Sequence, residues 1–191
     1  MVLSEPHRKR VKHFDVFGHV HELTFSCYRR LPLLDNDSRR ILLSKAIDAA
    51  MARCRFHLVG FVFMPEHLHL LVRPAEPTSE VSRLLYAIKR QLAYRVKQMM
   101  ESSRDPRLAG LIVRERPGKQ AFRFWQEGPG YDGNLTGLES VIGALNYAHA
   151  NPVRRGLCEN PGQWKWSSWH YYQSKAQADA DLPVVHGLPS E

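Results

Sequence analysis

Apolar positions along the chain change period several times, and each change marks an element. Between His19 and Arg30 (HVHELTFSCYRR), Leu23, Phe25 and Cys27 alternate with polar residues, which predicts a strand with one buried side. Pro32 and the Asp35-Asn36-Asp37 cluster break it. From Ser38 onward Leu43, Ile47, Ala50, Met51 and Cys54 recur at helical spacing, so a helix follows behind an Asp or Ser cap. Phe56 to Met64 (FHLVGFVFM) is almost continuously apolar, Pro65-Glu66 interrupts it, and His67 to Val72 (HLHLLV) resumes, predicting two antiparallel strands about a tight turn. A second helix is predicted from Ser79 to Met100, where Val81, Leu84, Leu85, Ile88, Leu92, Val96 and Met99 form one stripe.

Beyond that stripe the pattern weakens. Arg104 to Gln120 reads as a loop, Ala121 to Gln126 (AFRFWQ) as a fourth strand, and Gly128 to Gly137 (GPGYDGNLTG) as a run of turns. Thr136-Gly137-Leu138-Glu139 matches a capping box, predicting a third helix that buries Val141, Ile142, Leu145 and Ala148. Pro152 disfavours helical geometry at Asn151 and places the end of that helix close by. Trp164, Trp166, Trp169, Tyr171 and Tyr172 form an aromatic cluster expected to pack over a sheet edge or helix, and the polar tail after it is expected to be disordered. The order β, α, β, β, α, β is that of an α+β, ferredoxin-like antiparallel sheet. Such a plan puts the helices on one face and leaves the other open; here a third helix and a C-terminal aromatic extension are added.

Composition narrows the class of partner. The 191 residues fit one domain, and 43% hydrophobic with 24% charged residues is ordinary for a globular chain. Lys and Arg outnumber Asp and Glu by 27 to 19, a net charge of +8 that points to a polyanionic partner. Three scattered cysteines, Cys27, Cys54 and Cys158, argue against a disulfide framework and for a reducing compartment. The longest apolar run, Leu58 to Met64, is too short to cross a bilayer, and no apolar stretch follows the basic leader at residues 1–13. The expectation is a cytoplasmic protein without a membrane partner.

Two spacings carry possible chemistry. In His67-Leu68-His69 the period of a strand puts both imidazoles on one side and Leu68 on the other, a start for a metal site. The pattern alone is weak: the chain has 10 histidines, and His19-Val20-His21 repeats it. Tyr147 stands four residues before Asn151, so on a helix they share a side with the small residues Ser140, Gly143 and Ala144. That tyrosine reads either as a packing plug or as a reactive phenol. On the second helix Arg83, Arg90 and Lys97, with Tyr86 and Tyr94 between them, read either as a phosphate-contacting ridge or as a solvated face.

Several stretches in order resemble the single-tyrosine HUH transposases, in particular the REP-associated tyrosine transposases. They are MPEHLHLLV (64–72), FWQ (124–126), PGYD (129–132), NYAHANPVRRGL (146–157) and WSS (166–168). The resemblance implies a transposase domain over 14–158, a Trp-rich cap over 159–172 and a tail over 173–191. It implies a ferredoxin-like nuclease that cuts and rejoins single-stranded DNA at hairpin repeats through a covalent 5′-phosphotyrosine. By matching positions, Tyr147 is the expected nucleophile, and His67, His69 and Asn151 the expected ligands of Mg²⁺ or Mn²⁺. Two imidazoles and an amide oxygen would equally suit Zn²⁺, so the ion's identity rests on the resemblance. Arg114, Arg116, Lys119, Arg154 and Arg155 are candidates for the DNA path. His19 and His21, on the strand beside the histidine pair, are candidates to orient a ligand or a phosphate. The expected partner is single-stranded or hairpin DNA, bound by a monomer or homodimer. The alternative is a non-catalytic single-strand nucleic-acid binder on an open ferredoxin-like sheet.

Overall fold

The computed structural model describes residues 17–128, 130–174 and 179–188. The leader at 1–13, Pro129 of the PGYD stretch, and residues 175–178 and 189–191 of the tail lie outside the described residues.

Strand β1 (Val20–Ser26) leads into α1 (Asp37–Cys54). The cap is neither the predicted Asp nor Ser but Asn36, whose side chain accepts from the Arg39 backbone N–H at 3.0 Å. Arg55, in the left-handed region at φ 60°, ends the helix and turns the chain into β2 (Phe56–Phe63). Pro65 and Glu66 then reverse it into β3 (His67–Pro74), which is followed by α2 (Val81–Ser102).

After α2 the structure departs from the sequence expectation. The predicted loop holds a short helix, α3 (Leu108–Leu111), and a hairpin of β4 (Ile112–Arg116) and β5 (Lys119–Phe122) about Pro117-Gly118. That Pro-Gly pair is a turn signal of its own. The fourth strand of the main sheet is not Ala121 to Gln126 but β6 (Tyr131–Leu135), inside the stretch read as turns. Residues 124–126 bridge the chain just past β1: Tyr28 N–H donates to Phe124 O and Gln126 N–H to Ser26 O.

The main sheet runs β2-β3-β1-β6, every pair antiparallel, which is the ferredoxin-like order with β6 as its last strand. Its alternating residues feed two cores. Leu23, Phe25, Leu68, Leu70 and Val72 point at α1 and α2 and join Leu43, Ile47, Leu84, Ile88 and Leu92. On the opposite face Val20, Val59, Val62, Met64 and Leu71 pack against α4 (Leu138–Arg154) through Val141, Leu145 and Ala148. The third long helix therefore lies on the face expected to be open, not beside the other two. Gly60, at a bulge in β2, admits it, because a Cβ there would collide with Leu145 Cδ1.

Helix α4 also differs in its ends. Gly137 precedes it at φ 83° with no capping side chain, and Ser140 Oγ donates to Thr136 O and Gly137 O, so the capping box does not form. Ile142 is 38% exposed, and His149 is buried instead. The helix runs through Pro152 to Arg154, since a proline in the last turn removes only one backbone donor.

The free edge of β2 is covered by the C-terminal chain. Phe63 N–H donates to Trp166 O, Ser168 N–H to Phe61 O and His186 N–H to Leu58 O, which removes an exposed ladder. Trp164 and Tyr172 donate to Phe63 O and Val59 O on the same strand, and a short helix, α5 (Trp169–Ser174), follows. Within the tail expected to be disordered, residues 179–188 pack here, with Leu182 and Val185 buried in the helix-side core. Low overall hydropathy hid two apolar anchors at the right spacing. Among the described residues no helix is long and apolar enough to cross a membrane.

Candidate active site

The α4 face of the sheet carries the histidine pair. Because Leu68 and Leu70 must enter the helix-side core, strand alternation turns His67 and His69 the other way. Their Nε2 atoms stand 3.1 Å apart, and each residue is only 6% exposed. Burial lowers the pKa of both; His69, which also feels His67, is pushed down to about 4. Both imidazoles are therefore neutral near pH 7. Two nitrogens held about 2.1 Å from one ion at right angles lie ~3.0 Å apart, so the observed spacing suits a shared divalent cation.

Neighbouring groups fix these rings. The register of β1 against β3 sets Thr24 opposite His69, and Thr24 Oγ1 lies 2.9 Å from His69 Nδ1. With Nδ1–H donated there, the lone pair of Nε2 faces its partner. Glu66 Oε1 lies 3.2 Å from His67 Nδ1 and 2.9 Å from an Arg155 nitrogen, bringing a carboxylate and a guanidinium to the rim of the pair. No cluster of three His, Cys, Asp or Glu side chains exists among the described residues, so a bound ion would need the amide oxygen of Asn151, a substrate oxygen or water.

Helix α4 supplies the second half. A groove of about 600 Å³ runs between it and strands β3, β1 and β6, lined by Glu22, Thr24, His69, Tyr131 and Tyr147 among others. Tyr147 is 50% exposed, with the Arg154 guanidinium 4.4 Å from its ring centroid. The Asn151 amide donates to Tyr147 O at 2.9 Å, which leaves its carbonyl oxygen uncommitted among the described residues. His149, on the buried side of the helix, shares a 2.9 Å hydrogen bond with Ser168 Oγ and ties α4 to the segment along β2.

The other expected residues scatter. His21 is fully buried on the opposite, helix-side face, paired with Asp132 at 3.1 Å, so the sheet separates it from His67 and His69. His19 precedes β1, and its Nδ1 is buried without a hydrogen-bond partner among the described residues. Arg114, Arg116 and Lys119 lie on the exposed β4–β5 hairpin, which contributes nothing to the groove, and Lys119 pairs with Glu115. Tyr86 and Tyr94 are exposed on the outer side of α2, where Arg90 donates to Tyr86 Oη. Sequence reasoning missed Thr24, Glu22 and Glu66; Thr24 was within reach, since it alternates with Leu23 and Phe25 on a strand expected to neighbour the histidines.

Comparison with known proteins gives this geometry a context. Residues 16–110, from the start of β1 into α3, match the family described as IS200-like transposases; the span includes His67 and His69 but not Tyr147 or Asn151. A protein of Haemophilus influenzae named as a REP-associated tyrosine transposase is 28% identical over 119 residues, a match covering 60% of each chain. A solved REP-associated tyrosine transposase, bound to a REP hairpin, shares the fold at a TM-score of 0.68 and 18% identity, over 93% of this chain and 92% of that one. In its sheet order, its paired histidines and the match over residues 16–110, this chain is similar to the family of IS200-like transposases.

Proposed function

We propose that this protein is a metal-dependent endonuclease and strand transferase for single-stranded DNA, acting at hairpin repeats through Tyr147. The observation that carries the reading is that His67 Nε2 stands 3.1 Å from Nε2 of His69, which lines the groove that also holds Tyr147. The hairpin bound by the solved relative, carried over to this basic chain, supports hairpin DNA as the partner.

His67, His69 and the Asn151 carbonyl oxygen would hold a Mg²⁺ or Mn²⁺ ion, which when bound polarises the scissile phosphate and offsets its developing charge. Tyr147 Oη attacks phosphorus, the bond to the 3′ oxygen breaks, and that oxygen leaves as a 3′-OH with a proton while the phenol gives up its own. The product is a 5′-phosphotyrosine. Its phosphoester energy is retained, so a second 3′-OH reverses the step without ATP. Thr24 keeps His69 oriented, and Arg154 and Arg155 flank the site as phosphate partners.

The test is a hairpin-bearing single-stranded oligonucleotide incubated with protein and Mn²⁺, then run on a denaturing gel. The parent protein forms a covalent complex, and Tyr147→Phe abolishes it while binding persists, since only a hydroxyl is lost. An adduct that survives in the Phe variant overturns the assignment, and Tyr131, in the same groove, becomes the next nucleophile to examine.

A further inference from the structure

The groove contains a carboxylate that the proposed chemistry does not use. Glu22 sits on the α4 face of β1, between Leu71 on β3 and Gly133 on β6. It has no hydrogen bond or ion pair among the described residues, and partial burial raises its pKa. In a groove meant for a polyanion such a group is unfavourable unless a ligand brings donors to meet it.

Its surroundings supply the rest of a binding site. Tyr131, 57% exposed, lays its ring across Gly133, where a Cβ would come within 2.9 Å of Cζ and 3.0 Å of Cε1. The missing side chain lets the phenol lie against the sheet with its outer face open. Across the groove the wall is made of Ser140, Gly143 and Ala144, and a Cβ on Gly143 would meet nothing within 4 Å. This small-residue run leaves space beside Tyr147 instead of filling it.

We propose that this space is a base-reading pocket: an unpaired nucleobase next to the scissile phosphate stacks on Tyr131 and offers its hydrogen-bond donors to Glu22. The proposal rests on the reading that the groove holds single-stranded DNA. Stacking accepts any base, so Tyr131 supplies affinity and Glu22 supplies choice. A carboxylate only accepts, which favours bases carrying an amino group. Guanine suits it best, because N1–H and the N2 amino group stand side by side and match both oxygens. Thymine suits it worst, since its single N–H is flanked by carbonyls.

Two readouts on one probe test this, a pool of single-stranded DNA with a randomised stretch beside a hairpin. Sequences retained by the Tyr147→Phe protein are compared with those found at covalent junctions of the parent. Both should show a preference for guanine over thymine at one fixed position. Glu22→Gln should reduce that preference about tenfold without changing the melting temperature, because the carboxylate has no partner to lose. Tyr131→Ala should weaken retention of every sequence by roughly five- to hundredfold, and Tyr131→Phe should not. Gly133→Ala, which displaces the ring, should resemble Tyr131→Ala. Identical base preferences in the parent and Glu22→Gln overturn the pocket even when adducts form. If the parent forms no adducts while retention still depends on Glu22, the strand-transfer reading fails and the pocket stands.

Discussion

The two faces of the sheet come from the same strands and do opposite work. On one, Leu23, Phe25, Leu68, Leu70 and Val72 are buried under α1 and α2. On the other, one residue over, Thr24, His67, His69 and Glu22 line or adjoin a groove that α4 leaves partly uncovered. A strand's period of two separates stability from chemistry at single-residue resolution, and a slip of one register would exchange them. The helix-side face takes in a buried His21 and pairs it with Asp132. The groove face leaves its polar groups available.

Neighbouring residues give the sharpest way to break that contrast. Leu70→Ala removes a fully buried side chain and should cost about 2–5 kcal/mol in urea unfolding. His69→Ala, at the adjacent position, should eliminate adduct formation even at raised Mn²⁺, because on the proposed ligand set one imidazole and an amide oxygen would hold the ion poorly against its hydration. Its stability cost should be only about 1 kcal/mol, since the lost contact to Thr24 can be replaced by water from the groove. Equal stability losses in the two variants would erase the division of labour between the faces.

The helix-side face was also the more legible of the two. Alternation in β1 and β3 and the stripe on α2 are dictated by burial, so the sequence carries them openly. Strand β6 was hidden, because the three central residues of Tyr-Asp-Gly-Asn-Leu are turn formers; it is an edge strand held by backbone pairing to β1. Spacing put His67 and His69 on one side of a strand but did not separate them from His19 and His21, and only the resemblance singled them out. Alternation put Thr24 on the side away from Leu23 and Phe25, and the register of β1 against β3 sets it opposite His69. The side of the sheet taken by α4 was not readable either. Its apolar stripe would fit either face, and the choice depends on Val59, Val62 and Gly60, which lie in a run of apolar residues with no visible alternation.

A smaller effect sharpens the picture of the groove. Thr24→Val keeps the shape of the side chain and removes the oxygen beside His69 Nδ1. Activity should fall roughly 10- to 100-fold and recover in part with added Mn²⁺, the behaviour of a residue that orients a ligand. Substitution of His21 by Asn, on the far side of the sheet, should leave the metal dependence where it was. A metal-dependent defect in that variant, with none in Thr24→Val, would reverse the assignment of the faces.

The last expected difference is in acid sensitivity, and it too is uneven between the faces. His149 anchors α4 from within the groove-side layer, and burial lowers its pKa from 6.5 to about 4. Between those values the unfolded chain binds the proton and the folded chain does not, so falling pH favours unfolding. The contribution is complete above pH 6.5 and is lost as pH drops toward 4. His57, His67 and His69 are shifted in the same direction, so a parent-only measurement would mix several groups. His149→Gln isolates one of them, since glutamine can still hydrogen-bond Ser168 and does not titrate. Urea unfolding at pH 7 and pH 5 should show the parent losing roughly 1–2 kcal/mol more than the variant. Parallel losses would mean that His149 is free to take up its proton in the folded state. The hydrogen bond to Ser168 would then not hold α4, and with it Tyr147, against the sheet.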